Sequence, residues 1–274
     1  MLQVSVGVGG IMRFKRSALS IPYVIFLLIF VMAPLAVVFV FAFTNGSGHF
    51  TLENFLGFFK SSRTIATLVY SLFVALVTTV VCLIIAYPTA YALARSGFKR
   101  KRTLLLLAIV PMWINFTLRV TALKEMLDFI EGNLAYYPFF NTIVGQVYDF
   151  LPFMILPIFN VFDEMDKSLL EAGRDLGADR KGLFFSVILP LSMPGIASGI
   201  TMVFLPAMTN YVVLDMLYNS TYIMGSLIGS YFNAYDWHNG SMISAILLAL
   251  IVLFTLIGKN QNQTAGVTIH SKSY

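Results

Sequence analysis

The sequence predicts an all-α protein that crosses a membrane several times. Of its 274 residues, 58% are apolar and 11% are charged, whereas a soluble domain usually carries about 25% charged residues. The apolar residues form six runs that are long enough to span a hydrocarbon core, which takes about 20 residues. These runs lack the period-2 alternation of a membrane β-barrel, so helices are predicted, because a helix satisfies its own backbone hydrogen bonds in lipid.

The predicted spans form one transmembrane domain, residues 19–258. Residues 1–18 precede the domain, and residues 259–274 follow it as a polar, disordered tail. Pro111 interrupts the third span, and residues 123–132 have the pattern of a short amphipathic helix that ends at a glycine. The predicted spans are residues 19–43, 64–94, 103–122, 141–162, 191–214 and 241–258.

The distribution of basic residues predicts that both chain termini lie in the cytoplasm. With the N-terminus inside, fourteen of the 18 lysines and arginines fall on the inner side, as the positive-inside rule requires. The four on the outer side are Lys60, Arg63, Arg119 and Lys124. This orientation places the charged segment of residues 163–190 in the cytoplasm. Aromatic residues in the outer segment 218–240 fit either an interfacial belt or a partner surface.

Several function classes are disfavoured by what the sequence lacks. The single cysteine, Cys82, lies in an apolar run and is interpreted as a packing residue. The histidines, His49, His238 and His270, stand apart from other ligands, so no metal site is expected. The motifs Gly-x4-Gly-Lys-Ser/Thr and His-Glu-x2-His are absent, so the chain is not expected to hydrolyse ATP. Its net charge of +5 reflects membrane topology, and no nucleic-acid partner is expected.

The 163–190 loop has the pattern of two short helices that meet at a glycine. Residues 163–176 show helical spacing of apolar residues among charges, and Gly177 is the residue type that ends a helix in the left-handed conformation. Residues 178–189 continue as a second amphipathic piece, and Pro190 is predicted to restart a membrane helix. If the spacing of particular residue types within it is ignored, the same segment also fits a solvated loop of mixed charge.

The spacing within this loop resembles the cytoplasmic loop of the membrane subunits of binding-protein-dependent ABC importers. The family pattern is Glu-Ala-Ala, three residues, Gly, nine residues, an aliphatic residue, any residue and Leu-Pro. Gly173 stands in place of the second Ala, which exchanges one small residue for another. The residues that match are Glu171, Ala172, Gly177, Val187, Leu189 and Pro190.

Other stretches resemble the spermidine/putrescine permease subunits of bacteria, and among these the first of two paralogous subunits. These stretches are residues 110–115 with Arg119, 151–157, 169–178, 189–195 and 205–208. The resemblance implies a type I ABC importer permease fold with six transmembrane helices in the bacterial cytoplasmic (inner) membrane.

The same resemblance implies how this chain works with others. The 163–190 loop would dock into a separate ATPase, which holds ATP and Mg, so this chain itself needs no cofactor. Implied partners are a homologous permease subunit that completes a heterodimer, two ATPase subunits and an extracytoplasmic polyamine-binding protein. The residues implied in ATPase coupling are Glu171, Ala172, Gly173, Arg174, Asp175, Gly177, Asp179 and Arg180.

A polyamine path needs carboxylates for the ammonium groups, aromatic faces and amide acceptors. Asp149 lies within the fourth span, where an ionised carboxylate is costly and should face the interior or water. Alternatives stay open: Asp149 pairs with Arg119, Asp215 lies at the interface, or Trp113 only packs. The candidate path residues are Trp113, Asn115, Tyr148, Asp149, Asn210, Tyr211 and Asp215.

The predicted function is therefore half of the translocation path of an ATP-driven polyamine importer. One alternative is the permease of a type I importer for another small solute, and few basic residues in the spans disfavour an anion. The other alternative is a stand-alone secondary transporter or channel, which the docking loop and the lack of a visible inverted repeat disfavour.

Overall fold

The computed structural model describes residues 21–96, 100–217 and 221–270, and these residues are mainly helical. The predicted N-terminal segment, with Arg13, Lys15 and Arg16, and the basic residues Lys99 and Lys272 lie outside the described residues. The helices of the described part are α1 Ile21–Ala42, α2 Glu53–Lys60, α3 Ser62–Arg95, α4 Lys101–Trp113, α5 Phe116–Glu131, α6 Pro138–Glu164, α7 Lys167–Asp175, α8 Arg180–Ala207, α9 Tyr211–Met216, α10 Met224–Asn233 and α11 Trp237–His270.

Five helices of the described part are long and apolar enough to cross a membrane, namely α1, α3, α6, α8 and α11. Helices α4 and α5 pass the same test only as a pair, and they meet at a bend of 95°. The predicted interruption of the third span, residues 103–122, is therefore confirmed, and it takes the form of a sharp bend between two helices. Pro111 lies in the 3-10 turn that ends α4, and the Asn115 side chain accepts hydrogen bonds from two backbone N–H groups at the start of α5.

Helix α6 forms the centre of the bundle and packs against α3 and α8. In its most apolar 18-residue stretch, 67% of the residues are buried, whereas none is buried in that of α1. Helix α8 approaches closely because Gly195 has no side chain: a Cβ there would lie 2.9 Å from the Pro157 carbonyl oxygen. The buried Gln146 side chain then joins three helices, accepting from Thr78 Oγ1 (2.8 Å) and donating to the Ala207 carbonyl (3.2 Å).

Two spans widen into π-helical segments shortly before a proline. These segments are Leu28–Met32, ahead of Pro34, and Phe184–Ile188, ahead of Pro190. After each segment, the next backbone N–H donates to the carbonyl five residues back. Proline has no N–H, and in an α-helix its ring clashes with the carbonyl four residues back, so the wider turn accommodates it. Helix α8 therefore runs through Pro190, and the predicted restart there is wrong.

Other element ends differ from the sequence predictions in definable ways. The predicted helix 163–176 starts later, because α6 ends at Glu164 and α7 begins at Lys167. The predicted fifth span 191–214 ends at Ala207, and α9 follows as a separate helix. The predicted disorder of residues 259–274 is wrong as far as His270, where α11 ends. The predicted helix end at Gly132 is confirmed, with φ of 73°.

Candidate functional site

The turn in the 163–190 loop is built on Gly177, as the sequence predicted. Gly177 has φ of 80°, which lies in the left-handed region that glycine enters without a steric penalty. Its N–H donates to the Arg174 carbonyl (2.9 Å), and the Ala178 N–H donates to the Gly173 carbonyl (3.1 Å). These two bonds close the C-terminus of α7 and turn the chain toward α8.

Two aspartates begin the helices on either side of the loop. Asp166 Oδ1 accepts from the Ser168 N–H (3.0 Å) at the start of α7, and Asp179 Oδ1 accepts from the Gly182 N–H (2.8 Å) at the start of α8. The hydrogen bond from the Ser168 backbone holds the pKa of the Asp166 carboxyl below its ordinary value. Both helix starts and the glycine turn are thus fixed by local hydrogen bonds.

The loop presents a charged surface over a small apolar contact. Leu170 and Leu183 are buried, while Leu176 is 89% exposed next to the turn. A Cβ at Gly173 would lie 2.7 Å from Leu183 Cδ1, so glycine at this position leaves room for that side chain. Gly173 is half-buried, and the other predicted coupling residues are exposed, namely Glu171, Ala172, Arg174, Asp175, Gly177, Asp179 and Arg180.

On another part of the bundle, Asp149 is paired with Arg119, and both side chains are buried. Arg119 Nη2 donates to Asp149 Oδ1, and Arg119 Nη1 donates to the Pro111 carbonyl (3.2 Å). Asn210 Nδ2 donates to Asp149 Oδ2 (3.3 Å). The alternative that Asp149 pairs with Arg119 is therefore confirmed. The Arg119 guanidinium also lies 5.8 Å from the Tyr148 ring centroid. We call Asp149, Arg119, Asn210 and Tyr148 the Asp149 cluster.

Two further path candidates, Tyr211 and Asp215, line a cavity of about 360 Å³. Asp215 is exposed there, and it makes no ion pair within the described ranges. Asn210, which donates to Asp149, immediately precedes Tyr211 in the chain, so adjacent residues join the cavity lining to the Asp149 cluster. We call this space the Asp215 cavity; its lining residues are Tyr211, Asp215, Thr221, Tyr222, Ser226, Gly229, Ser230 and Asn233.

Sequence reasoning missed most of the polar lining of the Asp215 cavity. Ser226, Ser230 and Asn233 lie three or four residues apart on α10, so they share one helix face. That spacing is the signal in the sequence that would have found them. The sequence prediction for residues 218–240 rested on aromatic side chains alone, of which Tyr222 lines the cavity. The Arg63 guanidinium lies 5.2 Å from the Tyr222 ring centroid.

The remaining two path candidates lie at the bend between α4 and α5. Trp113 is 87% exposed, so it does not pack into the core formed by the described residues. The Asn115 side chain accepts from the N–H groups of Thr117 and Leu118, at 3.0 and 3.4 Å, and thereby caps α5. Asn115 therefore has a structural role in shaping the bend, and any contact with a solute is a separate hypothesis.

Helix α8 connects the two regions. It begins beside the Gly177 turn and ends three residues before Asn210 of the Asp149 cluster. Its 28 residues correspond to about 42 Å at 1.5 Å per residue, which exceeds the thickness of a hydrocarbon core of about 30 Å. The 163–190 loop and the Asp149 cluster thus lie at opposite ends of one membrane-length helix.

This architecture agrees with a comparison against known families. The profile described as "Binding-protein-dependent transport system inner membrane component" matches residues 86–262. The chain belongs to this family. It is therefore a membrane permease subunit of an ABC importer. Permeases of this kind work together with a partner permease, an ATPase and a binding protein.

Curated relatives of this permease cover most of its length. One is the "Spermidine/putrescine transport system permease protein PotB" of Escherichia coli (strain K12), 35% identical over 76% of this chain and 81% of that protein. Another is the protein of the same name from Haemophilus influenzae, 34% identical over 92% of this chain and 95% of that protein. A "PotB homolog" of Mycoplasma genitalium is 31% identical, over 88% of this chain and 90% of its own length.

Solved structures agree on the fold of the permease. A chain of a bacterial alginate ABC transporter in complex with its periplasmic protein matches with a TM-score of 0.70 and 14% identity, covering 90% of this chain and 93% of that chain. A chain of the MetNI methionine ABC transporter matches with a TM-score of 0.55 and 20% identity, covering 75% of this chain and 99% of that chain. At these identities the likeness concerns the fold alone, and it supports the predicted type I importer permease fold.

Proposed function

We propose that this permease carries polyamines, with spermidine and putrescine as substrates, through half of the translocation path of an ATP-driven importer. The observation that carries the proposal is the 34% identity, across 92% of the chain, to a permease named for these two solutes. The chemistry of the Asp215 cavity supports it independently of any name.

The Asp215 cavity offers the groups that a flexible polycation needs. The Asp215 carboxylate attracts an ammonium group, the rings of Tyr211 and Tyr222 contact ammonium groups and methylene stems, and hydroxyl and amide oxygens accept hydrogen bonds. Each cation–π contact contributes about 0.5–2 kcal/mol, which holds a cation without trapping it. Among the described residues, those that line the cavity include one carboxylate and no lysine, arginine or histidine, and the nearby Arg63 guanidinium already lies over the Tyr222 ring, so the lining itself suits a cation better than an anion.

We further propose that the 163–190 loop docks into the ATPase, which binds ATP and Mg. The exposed charges around the Gly177 turn and the exposed Leu176 side chain supply a mixed surface for that contact. Two ATPase subunits, one homologous permease subunit and one extracytoplasmic polyamine-binding protein complete the transporter. Purification of an active complex with two copies of this chain and no second permease would contradict the heterodimer.

In the proposed orientation, both termini and the 163–190 loop face the cytoplasm of a bacterial inner membrane. The basic residues described near the proposed inner side include Arg95, Lys101 and Arg102, at the facing ends of α3 and α4. Lys101 and Arg102 both pair with Asp163 at the end of α6. These charges lie at the same membrane boundary as the loop, which is the arrangement that the positive-inside rule favours.

The test is uptake of radiolabelled spermidine and putrescine by cells in which this subunit has been deleted and then restored. Restoration of the wild-type chain should restore uptake of both solutes. Asp215→Asn should lower spermidine uptake by about tenfold or more, because a hydrogen bond to a charged group contributes about 1.5–3 kcal/mol. Asp128→Asn on the exposed side of α5 is the matched control and should transport normally. Equal polyamine uptake with and without the subunit would refute the function.

A further inference from the structure

Arg119 occupies the groups that a substrate ammonium would use in the Asp149 cluster. Its Nη2 donates to the Asp149 carboxylate, and its guanidinium lies 5.8 Å from the Tyr148 ring centroid. We propose that Arg119 is a tethered cation that occupies the Asp149 carboxylate until an ammonium group of the polyamine replaces it. This inference rests on the proposed polyamine function and assigns Arg119 as a specificity-determining residue of the path.

The burial of Asp149 explains why a cation must always be present. Asp149 is 4% exposed and Arg119 is 8% exposed. A buried carboxylate without a partner is strongly destabilising, more so than the intact pair is stabilising. Exchange of one cation for another avoids that state, because the carboxylate is paired before, during and after the substrate passes.

Arg119 makes few hydrogen bonds for a buried guanidinium, which favours its release from Asp149 over a permanent attachment. A guanidinium has five N–H donors, and the hydrogen bonds that Arg119 makes to protein acceptors go to Asp149 and to the Pro111 carbonyl. Arg119 Nε is buried and has no hydrogen-bond partner in the described part of the chain. Arg119 also lies one turn after the 95° bend at the start of α5, where a small change in the bend would carry its side chain away from Asp149.

The residues around the Asp149 cluster connect it to the Asp215 cavity on one side and, through α8, to the 163–190 loop on the other. Asn210 donates to the second Asp149 oxygen, and Tyr211, the next residue, lines the Asp215 cavity. In this proposal an ammonium that leaves Asp215 passes Tyr211 and Asn210 to reach the Asp149 carboxylate. Asn210 also follows α8, so movement of the 163–190 loop reaches the same carboxylate through one helix.

The competing interpretation is a static pin in which the Arg119–Asp149 pair only holds α5 against α6. The two interpretations separate in a double variant. Arg119→Gln with Asp149→Asn removes both charges together, so no buried charge is left unpaired. A pin can be replaced by the neutral hydrogen-bonded pair, whereas a site for an ammonium group cannot lose its carboxylate.

The assay measures retention of tritiated spermidine by the whole transporter, purified with its partner subunits into nanodiscs and without the receptor. We expect the double variant and Asp149→Asn to retain at least tenfold less spermidine than wild type. Arg119→Gln should retain at least threefold more, and spermidine should raise its melting temperature further than that of wild type. Arg102→Gln, which removes an 82% exposed arginine from the Asp163 pair, is the matched control and should equal wild type.

Wild-type retention and uptake in the double variant would overturn the exchange and establish the pin. Reduced retention in Arg119→Gln, with a monodisperse complex, would also overturn it, because removal of a competing cation cannot weaken binding. Failure of the proposed function looks different: the wild-type transporter with its receptor would then import no polyamine at all.

Discussion

Replacement of Gly177 with valine tests whether the turn of the 163–190 loop transmits force. A Cβ at this position would meet no atom within 4 Å, so the cost of the substitution lies in the backbone alone. With φ at 80°, an L-residue costs about 1–2 kcal/mol relative to glycine in the left-handed conformation. A β-branched residue is at the unfavourable end of that range. One to two kcal/mol lowers the ratio of turned to unturned loop by about 5–30-fold.

We expect the Gly177→Val variant to lose coupling to the ATPase while helix α8 still spans the membrane. Helices α7 and α8 would lose their fixed angle, because the two hydrogen bonds that close α7 depend on the left-handed residue. We expect spermidine uptake and co-purification of the ATPase to fall by about the same 5–30-fold factor. Glu171→Ala should have a smaller effect on uptake, since an exposed ion pair between Glu171 and the ATPase would contribute about 0–1 kcal/mol.

Two control variants make the test specific. Gly177→Asn should retain most of the activity, because asparagine enters the left-handed region more readily than valine. Gly48→Val introduces the same strain elsewhere: Gly48 has φ of 77° in the turn before α2, and a Cβ there also meets nothing within 4 Å. If Gly177→Val couples as well as wild type, or if Gly48→Val lowers ATPase co-purification equally, the proposed role of the turn is wrong.

Three other predictions concern packing and topology. Gln146→Leu should destabilise the purified permease by about 1–2 kcal/mol in thermal unfolding, because it removes two interhelical hydrogen bonds; a melting temperature equal to that of wild type would contradict this. Gly195→Ala should lower the melting temperature because the new Cβ meets the α6 backbone, whereas Gly57→Ala, with open space around it, should not; equal effects would refute the close approach of α6 and α8. Cys82 is fully buried and should not react with a water-soluble maleimide. The exposed position 176, as Leu176→Cys, should react only from the cytoplasmic side. Labelling of Leu176→Cys in intact cells by an impermeant reagent would reverse the proposed topology.

The sequence by itself determined the membrane class, the positions of most spans and the glycine turn. Long apolar runs leave few alternatives in lipid, because the backbone must satisfy its own hydrogen bonds within each segment. The end of α7 at Gly177 is equally local, since a left-handed residue is needed there and glycine supplies it. The family resemblance likewise rested on residue types at fixed spacing in one loop.

Features that depend on distant residues were decided only by the tertiary structure. Pro34 and Pro190 follow π-helical segments, whereas Pro152 and Pro157 lie inside the α-helix of α6, so the residue type does not fix the local geometry. The sequence likewise indicated an interruption of the third span at Pro111, but the 95° angle between α4 and α5 is set by the tertiary structure.

The same division holds for the candidate site. Asp149 was identifiable as a carboxylate within a span, but its neutralisation by Arg119 joins residues 30 positions apart. The Asp215 cavity needs α9 and α10 folded against each other before its hydroxyl groups face one space. Local hydrogen bonding is determined by short stretches of sequence, whereas the pairing of buried charges depends on which helices the fold brings into contact.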